Sequence, residues 1–547
     1  MADSRAEDAC RLQSQLEADR ATWDIHYSEV AERVLPRQDD FNKIRTGGEK
    51  RTEKIFDSTA VLALDRAASA IDSLITPASQ QWHGIEPEEE YLLEDKQTME
   101  YCQNLAKLLF RVRYRPMANF ASQAHECYVS LMAFGTLGMF IDDLLGIGIR
   151  YKSIALSELY IAENHAGIVD LVHRKFPLTA RQALQKFGPR CPEKIAKTAE
   201  QNSLQKFDFL HCVSPNEEIN PRRKDYRSMA FKSYYLFYEG REIVSEGGYR
   251  TMPYSVSRHV TAPREIYGRS PAMQVLPDIK MVNEMEKTII RAAHKIVDPP
   301  MLAYGDGILS AFNARPNAIN YGAVDEHGKQ LVIPMKTGSN LPIALDMTEQ
   351  KRKVINDAFY VTLFQILVQN PQMTATEAMI RAQEKGQLLA PTVGRQQSEF
   401  LGPTIQRELD ILGAAGALPP MPPLLERMGG RLKVVYTSPL TRLRRAEDGV
   451  AIMRTIESVS PIANVKPGVM DAFDEDAVVR ELAEINGVPA KVLRSKDQIA
   501  ALRASQQQAA QQQNLLEGAD TAANAAKNMA KAASEAGFVV PAGASPQ

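Results

Sequence analysis

Residues 270–300 read SPAMQVLPDIKMVNEMEKTIIRAAHKIVDPP. Ser270 is a good helix N-cap and Pro271 a favoured first helical residue, and the next evident stop is Pro299-Pro300. The spacing predicts one helix of about 28 residues, roughly 42 Å long. Val275, Ile279, Val282, Met285, Ile289, Ala293 and Ile296 recur as one apolar stripe, the signature of a helix that buries a single face. Lys280, Lys287, Arg291 and Lys295 fall on the opposite face with Glu284 among them. That basic row reads in two ways. It is a solvated face supported by Glu284 at three- and four-residue spacing, or a surface for a polyanion or a partner subunit.

Working downstream, the Gly-, Asn- and Pro-rich stretch 301–345 holds strand-like pieces at 318–321 and 330–334 around a turn at 325–328. Asp346 with Glu349 three residues on forms a start signal for a second long helix over about 347–369, stopped at Asn370-Pro371. Thr374 with Glu377 starts a third helix at once. The pattern is a long helix out, a small β-containing tip, a long helix back, and a sharp kink.

Upstream, helices are expected over 1–35 and 55–75, then near 95–114 and 118–135. From Gly138 the pattern becomes β-branched, with strands at 147–154, 159–161 and 168–176 and a turn at Asn164 to Gly167. Thr179 and Gln182 form a capping box for a short helix ending at Phe187-Gly188. Aromatic strands follow over 207–268, including Tyr234-Tyr235-Leu236-Phe237-Tyr238. Beyond the Pro419 to Pro423 linker, 432–436 is a lone strand, and helices are expected at 440–458, 471–486 and 488–516. Residues 505–547 are Ala- and Gln-rich, and the last thirty of the chain suggest a weakly ordered tail. This is a mostly helical α+β chain, not an alternating βαβ series.

The 547 residues carry 65 Lys and Arg against 67 Asp and Glu, a net charge of −2. A protein that gripped many phosphates would be far more basic, so tight static nucleic-acid binding is disfavoured while transient contact with DNA is not. The five cysteines are scattered and never spaced C-x-x-C, so no disulfide framework or zinc knuckle is expected. The first residues are charged, which argues against a signal peptide. The longest apolar run, 129–141, is too short to span a membrane as a helix. The sequence lacks the P-loop, H-E-x-x-H, G-x-S-x-G and G-x-G-x-x-G patterns. Gly305-Asp306-Gly307 reads as a tight turn and Asp142-Asp143 as a strand-end turn. Arg442, Arg444 and Arg445 read as a solvated helix start. No catalytic residue, metal site or cofactor is expected.

Several segments in order resemble the head-to-tail connecting, or portal, proteins of short-tailed bacteriophages. They are Ile55-Phe56-Asp57-Ser58-Thr59-Ala60 through Leu74-Ile75-Thr76-Pro77 and Trp82, then 153–163, then Tyr267-Gly268-Arg269-Ser270-Pro271-Ala272 with Leu276-Pro277-Asp278-Ile279-Lys280, Asn283 and Pro299-Pro300. The resemblance covers about residues 20–500. Arg258-His259 departs from the Arg-Trp usual in the family, a change that bears on local packing. The resemblance implies a ring at one capsid vertex, usually of twelve copies. It implies a wing over 1–268 with a return over 395–440, a stem helix over 269–298, a clip over 299–346 and a stem return over 347–369. It further implies a tunnel loop with its following helix over 370–394, a crown over 441–504 and a tail over 505–547.

The implied role is passage of double-stranded DNA, sequence-independently, packaged by a terminase motor and later ejected. The implied partners are the major capsid protein and scaffold, the terminase large subunit and tail adaptor or tube proteins, with assembly in the host cytoplasm and a final place in the virion. Gln369, Asn370, Gln372, Met373 and Thr374 are the candidate channel contacts: polar or flexible and uncharged. A near-neutral chain suits sliding, because a ring multiplies every cation that could hold a phosphate. A multidomain hydrolase and a virion scaffold without a channel are the alternatives.

Overall fold

The computed structural model describes residues 4–535 apart from 44–45, 145–147, 221, 224, 304–312, 314–318, 320–322, 336–340, 369–389, 437–448, 460, 462–472, 486–487, 489–491 and 495. The chain divides into two units. The first comprises Met1–Ile85, Asn104–Pro420 and Val434–Glu447; the second comprises Glu86–Gln103, Met421–Lys433 and Asp448–Gln547.

The first unit opens with α1 (Ser4–Val34) and α2 (Thr59–Ile75). Leu16, Tyr27, Val30 and Val34 of α1 are buried, as are Ala63, Leu64, Ala67, Ala68 and Ile71 of α2, at the spacing of one helix face. Strand β1 (His83–Pro87) precedes α3 (Lys96–Arg113) and α4 (Phe120–Phe134). From Cys127 to Phe134 every α4 residue is buried, so the longest apolar run is a buried helix, a turn and a buried strand. The turn is Gly135, at φ 80°. A methyl group there would collide with the backbone of Gly268, and one at Gly268 with the carbonyl of Gly135. Only glycines allow these two segments to touch.

Two antiparallel sheets follow. β2 (Thr136–Leu144) lies between β3 (Gly148–Ser153) and the later β9 (Tyr254–Arg258). β4 (Leu159–Glu163), β5 (Val169–Thr179), β6 (Lys206–Pro215), β7 (Phe231–Phe237) and β8 (Glu242–Tyr249) form a five-stranded meander in chain order. The Asn164 to Gly167 turn forms, with Gly167 at φ 76°. The capping box at Thr179 and Gln182 opens α5 (Ala180–Phe187), which precedes α6 (Glu193–Gln201). Aromatic and aliphatic side chains of β5, β6, β7 and α5 make a compact cluster around Phe207, Phe209 and Phe237. In the aromatic run, Tyr235 stacks on His211 at 3.9 Å between centroids.

The helix expected over 271–298 is interrupted. Ser270 caps it as read, its hydroxyl accepting from the Met273 amide at 3.0 Å. However, α7 (Pro271–Gln274) ends at Val275, and α8 (Leu276–Val297) starts there with Pro277 in its first turn. Pro277 has no N–H to continue the ladder and its ring excludes the carbonyl four residues back, so the quoted stretch contains its own helix breaker. The tip pairs β10 (Met301–Ala303) with β11 (Val332–Pro334), and the 325–328 turn closes with Gly328 at φ 77°. The strand expected at 318–321 and the Gly305 to Gly307 turn lie outside the described residues.

The second long helix, α9 (Leu341–Ala358), begins before Asp346, with Pro342 near its start. The Asp346–Glu349 pair therefore sits within the helix and caps nothing. It also ends early, at Phe359-Tyr360. Tyr360 takes φ 59°, and α10 (Val361–Val368) starts beyond it. A tyrosine in the left-handed region is uncommon and costs conformational energy.

After a π-helical turn, Gln396–Leu401, the helix Gly402–Ala414 returns along the sheets. Its Glu408 accepts two bonds from Arg113, at 2.8 and 2.6 Å, and one from the Tyr151 hydroxyl at 2.6 Å. Burial opposes the Arg113 charge, but Glu408 more than offsets it and the guanidinium pKa is raised. His83 lies 3.2 Å from Arg113; burial and that cation hold its pKa well below the usual value. The lone strand β12 (Leu432–Tyr436) pairs with β1. Nearby, Arg258 joins Glu163 and Glu399, while His259 is buried with its pKa lowered by burial to about 4.

In the second unit, helices occupy 449–459, Glu475–Ile485 and Lys496–Glu535. Arg503 pairs with Asp476 at 2.8 Å. The Ala- and Gln-rich stretch is helical as far as Glu535, which its alanine content favours. Arg442, Arg444 and Arg445 lie outside the described residues.

Candidate functional site

The feature that stands apart from ordinary core packing is the antiparallel pair α8 and α9. Along α8 the apolar stripe passes from buried to open. Ile279 and Val282 are buried, Met285, Ile289 and Ala293 are half-buried, and Ile296 and Val297 are 45% and 85% exposed. On α9, Thr348 and Ile355 are buried, while Ile343, Met347 and Val354 are exposed. The first unit thus covers only part of each helix, and the rest of the apolar surface has no cover within the described chain.

Three polar devices hold the pair together and to the body. Lys351 reaches Asp278 at 2.8 Å, and Arg352 reaches Glu286 at 2.5 Å, locking α9 against α8. Arg352 also bonds the buried Asp57 at 2.8 Å. Burial works against the Arg352 charge, but the Asp57 hydrogen bond and charge outweigh it and raise its pKa. Asn283, buried on the body-facing side of α8, accepts the Phe56 and Asp57 amides at 2.8 and 3.1 Å. Its own amide donates to the Ile279 carbonyl at 2.9 Å. The 55–60 segment and Asn283, far apart in the chain, are therefore two halves of one joint.

In the sequence Asp57 and Asn283 stand out without this role, and Arg352 does not stand out at all. Asn283 carried a usable signal, being an amide on the stripe that otherwise buries Ile279 and Val282. Arg352 carried none, because its partners come from two remote segments.

The basic row is divided by the structure. Lys280 pairs with Glu29 at 2.7 Å, and that hydrogen bond holds the Glu29 carboxyl below the usual range. Lys287 sits 3.4 Å from Glu284, with its ammonium over the Phe56 ring at 5.4 Å. Both are satisfied within the chain. Arg291 and Lys295 are exposed, and among the described residues neither makes an ion pair. The other candidates, Gln369, Asn370, Gln372, Met373 and Thr374, lie outside the described residues.

The remaining chemical candidates do not converge. Asp142 and Asp143 point to opposite faces of β2; burial raises the Asp142 carboxyl, while Asp143 is exposed. Among the described residues, no three His, Cys, Asp or Glu side chains gather as a metal site needs. No described helix is long and apolar enough to cross a membrane.

Comparison with known proteins adds a family. Residues 6–493 match the bacteriophage head to tail connecting protein model. The chain is 29% identical over 521 residues to the probable portal protein of Bordetella phage BPP-1, covering 93% of each. It is 24% identical over 545 residues to the portal protein of Salmonella phage epsilon15, covering 97% of this chain and 96% of that one. A chain in the virion of a native gene transfer agent particle aligns with a TM-score of 0.36 and 10% identity, covering 78% of this chain and 94% of that one.

Proposed function

We infer the role of this protein from one premise: the chain belongs to the bacteriophage head-to-tail connecting proteins. It is a structural component of the phage virion, the portal at the junction of head and tail, through which the genome is packaged and later ejected. The observation that carries this reading is the family match from residue 6 to residue 493. The paired helices support it physically. A helix whose apolar face outruns its own domain is stable only when something else covers it, and copies of the same chain are the most economical cover. A head-to-tail contact whose rotation closes makes a ring.

In the finer reading, about twelve copies surround the channel. Helices α8 and α9 form the stem, and the segment joining them, with β10 and β11, forms the clip. The body over 1–268 is the wing, with its return over 395–440. Residues 370–394 hold the tunnel loop and the helix after it, where Gln369, Asn370, Gln372, Met373 and Thr374 touch DNA without gripping it. The crown lies over 441–504. The clip meets a terminase motor and later tail adaptor or tube proteins, and the major capsid protein and scaffold are further partners. Assembly takes place in the host cytoplasm, and the protein itself catalyses no reaction, the motor supplying ATP hydrolysis.

Electron microscopy of the purified protein tests this directly. Rings with a central hole are expected. Monomers alone at every concentration, even with capsid partners present, would overturn the assembly reading.

A further inference from the structure

The two stem helices carry opposite charge along their outer edges. On α8, Pro277, Met281, Glu284, Thr288, Arg291 and Lys295 are all exposed. Their alternating steps of four and three place them on one line of the helix. This line points away from α9, because the residues that meet α9, such as Asp278 and Glu286, lie on the other side. Its tip-ward half is basic, from Arg291 to Lys295, with Asp298 beyond the helix end as the nearest acid in sequence. On α9, Asp346, Gln350, Lys353 and Asp357 form the matching outward line, again all exposed. It is acidic at the tip-ward end and flanked by exposed Ile343, Met347 and Val354.

The heights correspond. Asp278 meets Lys351 and Glu286 meets Arg352 within one chain, so the last turns of α8 lie level with the first turns of α9. Two copies standing side by side would bring Arg291 of one within about a turn of Asp346 of the next, with Lys295 about one turn further toward the tip. Glu284 would come opposite Lys353.

Resting on the ring reading above, we propose that neighbouring copies join edge to edge, α8 against α9. Arg291 and Lys295 pair with Asp346 of the adjacent copy, beside the apolar strip Ile343, Met347 and Val354. The contact is heterologous: a two-fold arrangement would set like edges together, whereas head-to-tail rotation sets unlike edges together. The unpaired cations therefore select the neighbour and its register, and do not hold DNA. Complementary charge across an interface chiefly fixes partner and register.

Charge reversal in full-length protein tests the proposal. The variants are Arg291→Glu with Lys295→Glu, and separately Asp346→Lys. Every position is solvent-exposed, so thermal unfolding of the unassembled chain should not change. Each variant alone should need about tenfold or more protein for half-assembly by native mass spectrometry, since like charges then face one another. A one-to-one mixture should assemble to within about threefold of wild type, as alternating rings, because every contact becomes complementary again. If both variants assemble alone like wild type, the pairing is wrong while the ring reading stands. If the Arg291/Lys295 variant forms normal rings but alters DNA passage, those cations face the channel and the proposal fails. If the wild-type protein never forms rings, the reading on which the pairing rests has failed instead.

Discussion

Breaking the buried pair Arg113–Glu408 should weaken the body more than any surface change. Arg113 is 0% and Glu408 1% exposed, with two parallel bonds at 2.8 and 2.6 Å. Tyr151 and His83 complete the arrangement, and the guanidinium lies over the Trp82 ring at 4.5 Å. Substituting Glu408→Gln removes the countercharge and leaves a guanidinium with no water to solvate it. Loss of one partner of a buried pair costs about 3–5 kcal/mol. With a urea dependence of about 3 kcal/mol per molar, the midpoint should fall by roughly 1–1.7 M. The chain has two tryptophans, and Trp82 rests on this very pair, so its fluorescence during urea titration is the assay. Arg113→Met combined with Glu408→Leu should recover much of the loss, because no orphan charge remains. A midpoint shift below about 0.3 M for Glu408→Gln would refute the claim that this pair staples the return helix to the body.

Acid should destabilise the body through its buried histidines. Burial holds His173 and His259 down to about 4. Because the folded value lies below the unfolded one, their contribution is complete above about pH 6.5 and drains away as pH falls toward 4. At pH 5 the loss is about 2 kcal/mol for each, to be read as a lower urea midpoint than at pH 7.5. His259→Trp should remove its share of that pH dependence, and an unchanged slope would count against the assignment. At the joint between α8 and the 55–60 segment, Asn283→Ala should orphan the Phe56 and Asp57 amides, costing about 1–3 kcal/mol. Hydrogen exchange at those two amides should accelerate before the rest of the body responds. Equal protection in the variant would mean that Asn283 is not what holds the joint.

Much of the local structure was legible because its causes are local. Ser270 and Pro271 announced a helix start, Thr179 with Gln182 a capping box, and Asn164 to Gly167 a turn, and each forms from neighbours within four residues. The errors had equally specific causes. Pro277 interrupts the long apolar stripe, because a missing N–H breaks the helix ladder whatever the apolar pattern. Asp346 and Glu349 have the spacing of a cap but sit within the helix that begins at Leu341. The break at Tyr360 has no local signal at all, since nothing from Asp357 to Phe364 is a glycine or a proline.

Residue order by itself determined most of the helix and strand content, that the apolar stripe of α8 needed cover, and that few cations were available to hold a polyanion. These follow from period, capping and charge count, which act over a few residues or over the whole composition. Only the tertiary structure decided which cations are spent inside the chain. Lys280 and Lys287 look the same as Arg291 and Lys295 on a helical wheel, yet Glu29, Glu284 and Phe56 engage the first two and leave the others open. The partners that make the difference lie in other elements, and the free energy of a charge depends on what folding sets beside it.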